Sequence, residues 1–223
     1  MKKLFIILIS TLFFVPLYSQ NIFFATKEGM SLLYVNKDES GKVQSFMRQT
    51  IKKVEGSGAN FAISYVAQML DKSKKPMSDV PSDITYKVKV SNGYLELDMR
   101  SFGAAGTEGL FEVTGDKIRI PTSLSVGDKL DNVNFTLTLN MGYPVSTNIH
   151  LYDHKCVAIE DVTVPAGSYK CHKVIQTAST DVMGRSIITK STTWYAPNVG
   201  VVKTESYKEN GKLQSVMELQ EIK

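Results

Sequence analysis

The sequence predicts an all-β protein built from antiparallel strands, and the clearest evidence is a strict alternation of apolar and polar side chains. Residues 84–90 and 95–99 alternate in this way on either side of Asn92-Gly93, a dipeptide typical of tight hairpin turns. Residues 135–141 show the same period of two. A strand with one dry face and one wet face is typical of an antiparallel sheet, because one side of such a sheet can remain open to water.

Turn signals recur along the chain at hairpin spacing, and the segments between them are rich in Val, Ile, Thr and Tyr. Residues 59–70 also permit a helix, but the alternation of Phe61, Ile63 and Tyr65 favours a strand. We therefore predict a meander of roughly ten to fourteen antiparallel strands that forms a strongly curved sheet, an open barrel or two packed sheets. A long sheet must curl, and curling creates a concave face.

Residues 1–19 have the pattern of a secretory signal peptide. Lys2 and Lys3 precede an apolar run over residues 4–17, and Ser19 supplies a small residue at a cleavage point. The run is shorter than the roughly 20 apolar residues that a membrane-spanning helix needs. We therefore predict that the mature chain begins near Gln20 and is exported, as a periplasmic or secreted protein.

Residues 20–223 are expected to form a single β domain, and a seam within residues 121–130 leaves two lobes, 20–121 and 122–223, as the alternative.

No second apolar run approaches membrane length, so we predict no transmembrane segment in the mature chain. Without the signal peptide the chain has 24 basic and 22 acidic residues, and no Lys/Arg cluster that would follow a phosphate backbone. We expect no nucleic-acid partner.

The two cysteines, Cys156 and Cys171, could form a disulfide, because an exported chain meets an oxidising compartment. A turn at residues 165–167 opposes this bond, since it would pair Cys171 with about Val162 and leave Cys156 several residues beyond any partner. A bulge or a different turn would restore the bond, so both alternatives remain open. No neighbouring residue marks either thiol as an activated nucleophile.

Trp194 is the only tryptophan, and its position near a strand end favours a core anchor over a platform for stacking a ligand. The indole N–H needs a partner when it is buried, and we expect a backbone carbonyl beside Pro197-Asn198. In the preceding block, Pro165 fixes φ for a turn and Gly167 supplies a positive φ, so that two opposed strands can start there.

The blocks Glu160–Val174 and Thr193–Lys203, with Leu124–Asp128 upstream, resemble an uncharacterised family of exported β-proteins from Gram-negative envelopes, the TapB-like group. The resemblance extends over roughly residues 30 to 220, through the spacing of hairpin and turn landmarks. The landmarks are Pro165, Gly167, Trp194, Pro197 and Gly200. The resemblance implies an antiparallel, curved sheet and no established activity.

Three histidines are the candidates for metal ligands: His150, His154 and His172. His150 and His154 would share a strand face, but residues four apart on a strand are separated by about 13 Å, too far to share one ion without a bend. A zinc site completed by Asp153 or Glu160 is therefore disfavoured. We predict no metal site and no cofactor.

Glu160 and Asp161 form the most suggestive carboxylate pair, but neighbours on a strand point to opposite faces and cannot act together on one substrate. The sequence contains neither a Gly-x-Ser-x-Gly elbow nor a phosphate loop of the Walker type. We therefore predict no catalytic residues.

These observations favour a non-catalytic exported envelope protein that binds an apolar or saccharide-like ligand or a partner protein. The first alternative is an enzyme acting on envelope glycans or lipids, with Glu160, Asp153 or a histidine in its site. The second is a structural component that pairs through an exposed sheet edge. The sequence pattern identifies no ligand-binding residues.

Overall fold

The computed structural model describes residues 22–77, 84–97, 111–140, 142–182 and 184–223, and in these ranges every regular element is a β-strand. The first seven strands are β1 (Ser31–Asp38), β2 (Val43–Ser57), β3 (Asn60–Leu70), β4 (Ile84–Ser91), β5 (Tyr94–Leu97), β6 (Phe111–Gly115) and β7 (Ile118–Pro121). The others are β8 (Val133–Asn140), β9 (Pro144–Val164), β10 (Gly167–Val182), β11 (Arg185–Ala196), β12 (Gly200–Lys208) and β13 (Leu213–Ile222). The all-β prediction is confirmed, including the strand at β3.

The strands of the described residues form one 13-stranded antiparallel sheet in the order β6-β8-β9-β10-β11-β12-β13-β1-β2-β3-β4-β5-β7. The sheet is curved but does not close on itself, so the curved-sheet form of the prediction is confirmed. The predicted signal peptide, residues 1–19, lies outside the described residues. Within the ranges described, no helix has the length and hydropathy required to cross a bilayer.

Two strands that follow each other in the sequence, β6 and β7, lie at opposite edges of the sheet. Strand β6 pairs with β8, whereas β7 pairs with β5, and only Asp116 and Lys117 connect them. The chain therefore departs from a simple meander at this point. The alternative of two lobes, 20–121 and 122–223, stays a prediction; the pairs β1–β13 and β6–β8 both cross the boundary between these ranges.

The main core draws its buried side chains from β1 to β5, from β9 to β13 and from the segment before β1. Its fully buried members include Leu32, Ile51, Ile63, Val88, Cys171, Val202 and Leu219. Strand β1 is buried on both faces: Leu32 and Tyr34 join the main core, while Leu33 and Val35 pack with Phe46 and Leu70 on the other side. Strand β1, an inner strand of the sheet, is therefore covered by apolar side chains on both faces.

The segment before β1 is fixed against the turn between β11 and β12. The backbone N–H of Asn198 donates to the carbonyl oxygen of Ile22 at 2.6 Å. Gly200 approaches this segment so closely that a Cβ there would lie 3.3 Å from the Cα of Phe24. Ile22 and Ala25 are thereby held in the main core.

The hairpin between β9 and β10 has a different register from the one expected. The loop contains only Pro165 and Ala166, so Gly167 pairs with Val164 and Cys171 pairs with Glu160. The predicted pairing of Cys171 with about Val162 is therefore wrong by two positions. The expected turn had counted Gly167 as part of the loop, whereas it is the first residue of β10.

The register places the two cysteines on opposite faces of the sheet. A shift in β9 brings Cys156 opposite Val174, and Val174 lies three positions from Cys171 on a strand whose side chains alternate. Cys171 belongs to the main core, whereas Cys156 packs with Val174 and Phe23. Both are buried free thiols.

We expect Gly115→Ala to destabilise the protein by about 2 kcal/mol, because its backbone conformation and its close neighbours both oppose a side chain. Gly115 has a φ of 112°, and a Cβ there would lie 2.5 Å from the carbonyl oxygen of Asn134. The control is Gly41→Ala, at a φ of 81° with no atom within 4 Å, for which we expect a loss of about 1 kcal/mol. Urea denaturation measures both, and equal losses would contradict the steric argument.

We also expect Cys156 and Cys171 to remain reduced in the purified protein, since their side chains lie on opposite faces. Burial is the main cause that raises the pKa of Cys156, and burial together with Asp161 and Glu160 raises that of Cys171 to about 11. Because the thiolate is the reactive form, alkylation should be slow in the folded protein and complete after unfolding without reductant. Intact mass after alkylation measures this, and an unmodified unfolded chain would instead reveal a disulfide.

Candidate functional site

Strands β10, β11 and β12 carry three successive rows of side chains on one face of the sheet. Residues paired across antiparallel strands lie on the same face, and so do residues two apart on one strand. The rows are Lys173–Trp194–Lys203, Ile175–Thr192–Glu205 and Thr177–Lys190–Tyr207. This face therefore changes from an aromatic end at Trp194 to a polar end at Lys190.

The polar end of these rows borders an open cleft of about 790 Å³, which we call the lysine cleft. The segment before β8, strand β9 and the turn between β12 and β13 supply the rest of its wall. The lining residues are Lys129, Leu130, Asn132, Asp153, His154, Lys155, Ile175, Gln176, Thr177, Lys190, Ser191, Thr192, Tyr207 and Gly211. Eleven of these fourteen residues are polar or charged, so the wall offers many hydrogen-bonding groups to a ligand.

An irregularity in β9 places Asp153 and His154 at this cleft. Asp153 has a φ of 56°, and the β9–β10 register shifts between Ile175 and Thr177. His154 is only 8% exposed, and its Nδ1 lies 3.2 Å from the carbonyl oxygen of Asp131, so that Nδ1–H donates when this tautomer is present. The bulge thus turns one carboxylate outward and fixes one imidazole in the wall.

Trp194 is held at the other end of the rows by a carboxylate and two ammonium groups. Its Nε1–H donates to Oε1 of Glu160 at 2.7 Å, and the same oxygen lies 3.3 Å from Nζ of Lys173. The Nζ atoms of Lys173 and Lys203 lie 5.1 and 5.3 Å from the centroid of the Trp194 ring. The hydrogen bond from Trp194 and then the contact with Lys173 lower the pKa of Glu160 against a smaller effect of burial.

Trp194 is 6% exposed and packs in the main core. The predicted partner of its indole, a carbonyl beside Pro197-Asn198, is wrong, because Glu160 accepts that hydrogen bond. The reason is the β9–β10 register, which places Glu160 beside Cys171 and so within reach of the row that contains Trp194.

Glu205 joins the aromatic and polar ends of the face. Lys203 Nζ lies 2.8 Å from Oε1 of Glu205, and the Tyr207 hydroxyl donates to Oε2. Burial alone would raise the pKa of Glu205, but hydrogen bonds from Lys203 and Tyr207 outweigh it and lower that pKa. Burial and Glu205 together raise the pKa of Tyr207 to about 12, so its hydroxyl stays protonated.

The three histidines lie in three different environments. His150 contacts Oδ1 of Asn134 and stacks on Tyr152, with 4.9 Å between ring centroids. His172 packs edge-on against Phe23, also with 4.9 Å between centroids. Only His154 lines the lysine cleft. Among the residues that the structure describes, His, Cys, Asp and Glu form no group of three that could hold a metal ion.

The sequence analysis singled out Asp153 and His154, which meet at the cleft, but missed the lysines that accompany them. Lys129 pairs directly with Lys155 of β9 across an isolated bridge. Lys190 lies on β11, two strands from Lys155, and pairs with Thr177 of the intervening strand β10. The sequence shows that each lysine lies in or beside a strand, but which of them face the same cleft depends on how β9, β10 and β11 pair. That pairing is set by two register shifts between β9 and β10, and no Gly or Pro in the sequence marks them.

We expect His172 to make the folded protein less stable as the pH falls from about 7 to 5.5. Burial lowers the pKa of His172, and a hydrogen bond with the Leu124 backbone only partly opposes this shift. Below the ordinary imidazole pKa of about 6.5, the unfolded chain gains a proton that the folded chain does not, so unfolding becomes easier. His172→Gln should reduce the dependence, as measured by urea midpoints at both pH values, and an unchanged dependence would contradict this role.

The chain is similar to two proteins of known structure. One, from Bacteroides fragilis, is inferred to be exported and has a YmcC-like fold; it is 21% identical, with a TM-score of 0.73 over 91% of this chain and 99% of that one. The other, from Parabacteroides distasonis, is inferred to be a lipoprotein; it is 24% identical, with a TM-score of 0.77 over 91% and 99% of the two chains. These likenesses show the fold alone. Among curated proteins, none matches the sequence.

The sequence pattern of one protein family, described as DUF3108-like, matches residues 27–219. The matched range includes every strand from β1 to β12, most of β13, and the whole lysine cleft. The narrower likeness to the TapB-like group stays a prediction. The chain belongs to the DUF3108-like family.

Proposed function

We propose that this protein is an exported, non-catalytic binding module of the bacterial envelope and that the lysine cleft holds a polar, saccharide-like ligand. The observation that carries the proposal is the cleft itself, about 790 Å³ in volume and lined by eleven residues with polar side chains among its fourteen. This volume lies within the range of roughly 300 to 1,000 Å³ that is usual for small-ligand sites.

The chemistry of the lining supports a saccharide-like ligand. The side chains of Gln176, Ser191 and Thr192 offer donors and acceptors of the kind that hydroxyl groups match. Ile175 is 38% exposed in the same wall and gives an apolar patch against which the C–H face of a sugar ring can rest. A few placed polar groups around an apolar patch can fix both the orientation and the identity of a ligand.

A purely apolar ligand has less support. The apolar side chains between the two halves of the sheet pack against one another: Leu32, Ile63 and Val202 are all 0% exposed. The lysine cleft has Leu130 and Ile175 as its larger apolar side chains, and charged residues surround them.

Export is supported by the charged and apolar pattern of residues 1–19. The two proteins of similar fold are inferred to be an exported protein and a lipoprotein, which agrees with an envelope location. Pairing through a sheet edge has weaker support, because the edge strands of the described sheet, β6 and β7, contain only five and four residues.

One observation favours the enzyme alternative, namely that Asp153 and His154 both line the cleft. When Nδ1–H of His154 donates to the carbonyl of Asp131, its Nε2 is left as an acceptor that could take a proton from a substrate. Glu160, the other candidate, bonds to Trp194 and Lys173 and does not line the cleft.

Native mass spectrometry of the protein purified from its own envelope tests the proposal. We expect a glycan to co-purify with the parent protein and to be absent from Ser191→Trp, because the indole would fill part of the cleft. The control is Ser168→Trp, which places the same ring at an exposed position of β10 outside the cleft. Circular dichroism establishes that each variant has folded.

Retention of the same adduct in Ser191→Trp, or absence of any adduct from the folded parent, would contradict the proposal. Incubation of the released glycan with fresh protein separates the two functions. An unchanged glycan mass supports a binding module, whereas a cleaved product that His154→Gln fails to form supports the enzyme.

A further inference from the structure

We propose that the lysine cleft recognises a negatively charged group, a carboxylate or a phosphate, on its ligand. This inference rests on the proposed function and names the chemistry of the ligand that the cleft would hold. It follows from the arrangement of Lys129, Lys155 and Lys190.

Two of these lysines lie directly opposite each other. Lys129 and Lys155 form an antiparallel bridge, and the bridge is fixed on either side by backbone hydrogen bonds from Leu130 N to His154 O at 3.1 Å and from Cys156 N to Asp128 O at 2.9 Å. Directly opposed side chains have Cβ atoms about 5 Å apart, and like charges in this position destabilise a sheet. The fold therefore holds two positive charges together at an energetic cost.

The third lysine extends the positive surface across the cleft. Lys155 of β9 pairs with Ile175 of β10, and Lys190 of β11 pairs with Thr177, which is two residues further along β10. Lys190 is therefore two strands away from Lys155 and in the next row of side chains on the same face. All three lysines are exposed. A bound group between them could therefore receive hydrogen bonds from more than one ammonium group.

In the part of the chain that the structure describes, no carboxylate lies within ion-pair distance of these three lysines. The lysines at the other end of the same face are neutralised: Lys173 lies 3.3 Å from Glu160, and Lys203 lies 2.8 Å from Glu205. The lining of the cleft contains three lysines and only one carboxylate, that of Asp153. The face therefore separates structural lysines, which are paired, from lysines whose charge is available to a ligand.

An anionic group resolves the repulsion that the bridge creates. Hydrogen bonds between an ammonium group and a carboxylate or phosphate are shorter and stronger than neutral ones. A concave surface of one charge also raises the local concentration of oppositely charged ligands, and this effect weakens as salt is added. Neutral donors from Asn132 and Gln176 in the same wall can complete the recognition of the remaining oxygens.

Isothermal titration calorimetry at low salt tests the inference with three probes: a trimer of galacturonic acid, its neutral methyl ester and inorganic phosphate. We expect the acid trimer to bind more tightly than the ester. Lys155→Gln and Lys190→Gln should each weaken binding of the acid by about fivefold to tenfold. The matched control, Lys170→Gln, removes the same charge from an exposed position of β10 outside the cleft and should leave binding unchanged.

Inorganic phosphate distinguishes the two sources of negative charge. Competition of phosphate with the trimer supports a site that accepts either oxyanion, and lack of competition with retained binding of the trimer supports a carboxylate site. Thermal unfolding gives a second readout. An anion that binds should raise the Tm of the parent more than that of Lys155→Gln, whereas that variant without ligand should have the higher Tm at low salt because the opposed charges are gone.

Equal binding of the acid and the ester that no lysine variant alters would overturn the inference and leave the proposed binding module intact. Failure of the acid trimer and of phosphate to bind, together with no difference in Tm between the parent and Lys155→Gln, would also overturn it. The co-purified ligand reports on the proposed function independently, because native mass spectrometry detects a neutral glycan as well as a charged one.

Discussion

The sheet depends on β1, the strand that pairs the N-terminal part of the chain with its last strand. Strand β1 pairs with β2 on one side and with β13 on the other, and apolar clusters cover both of its faces. Leu32, Leu33, Tyr34 and Val35 are each at most 5% exposed, and full burial of such a side chain contributes about 1.5–3 kcal/mol. Without this strand, β13 and β2 would lose their shared neighbour, and the apolar clusters on both faces would lose four buried side chains.

The sequence allowed the local structure to be predicted wherever a strand has one wet face. Residues 84–90 alternate strictly and form β4, and Asn92-Gly93 forms the turn that leads to β5. The same rule gave β3 over residues 60–70 in place of a helix. Long-range features were not accessible in this way. The opposite placement of β6 and β7 is decided by their pairing with β8 and β5, and four- and five-residue strands carry too little pattern to reveal it.

The candidate site was predictable only in part, because bulges and not turns position its residues. Asp153 and His154 were recognised as chemically capable, but the positive φ at Asp153 that brings them to the cleft is unusual outside glycine and asparagine and has no sequence signature here. The sequence analysis did not single out Lys129, Lys155 or Lys190. Once the register of β9 is known, Lys155 and Lys190 can be placed on one face by alternation alone, and the bridge adds Lys129.

The position of β1 also constrains the order in which the chain can acquire its structure. Lys37 in β1 and Glu218 in β13 form a 2.6 Å ion pair across 181 residues of sequence. A ribosome makes β1 early and β13 late, so β1 stays without one of its two neighbours while most of the polypeptide is still being made. Contacts between such distant residues form slowly, because the entropy of closing a long loop must be overcome first. Residues 32–35 therefore reach their full burial only after β13 has joined the sheet, which is a late step in the folding of this chain.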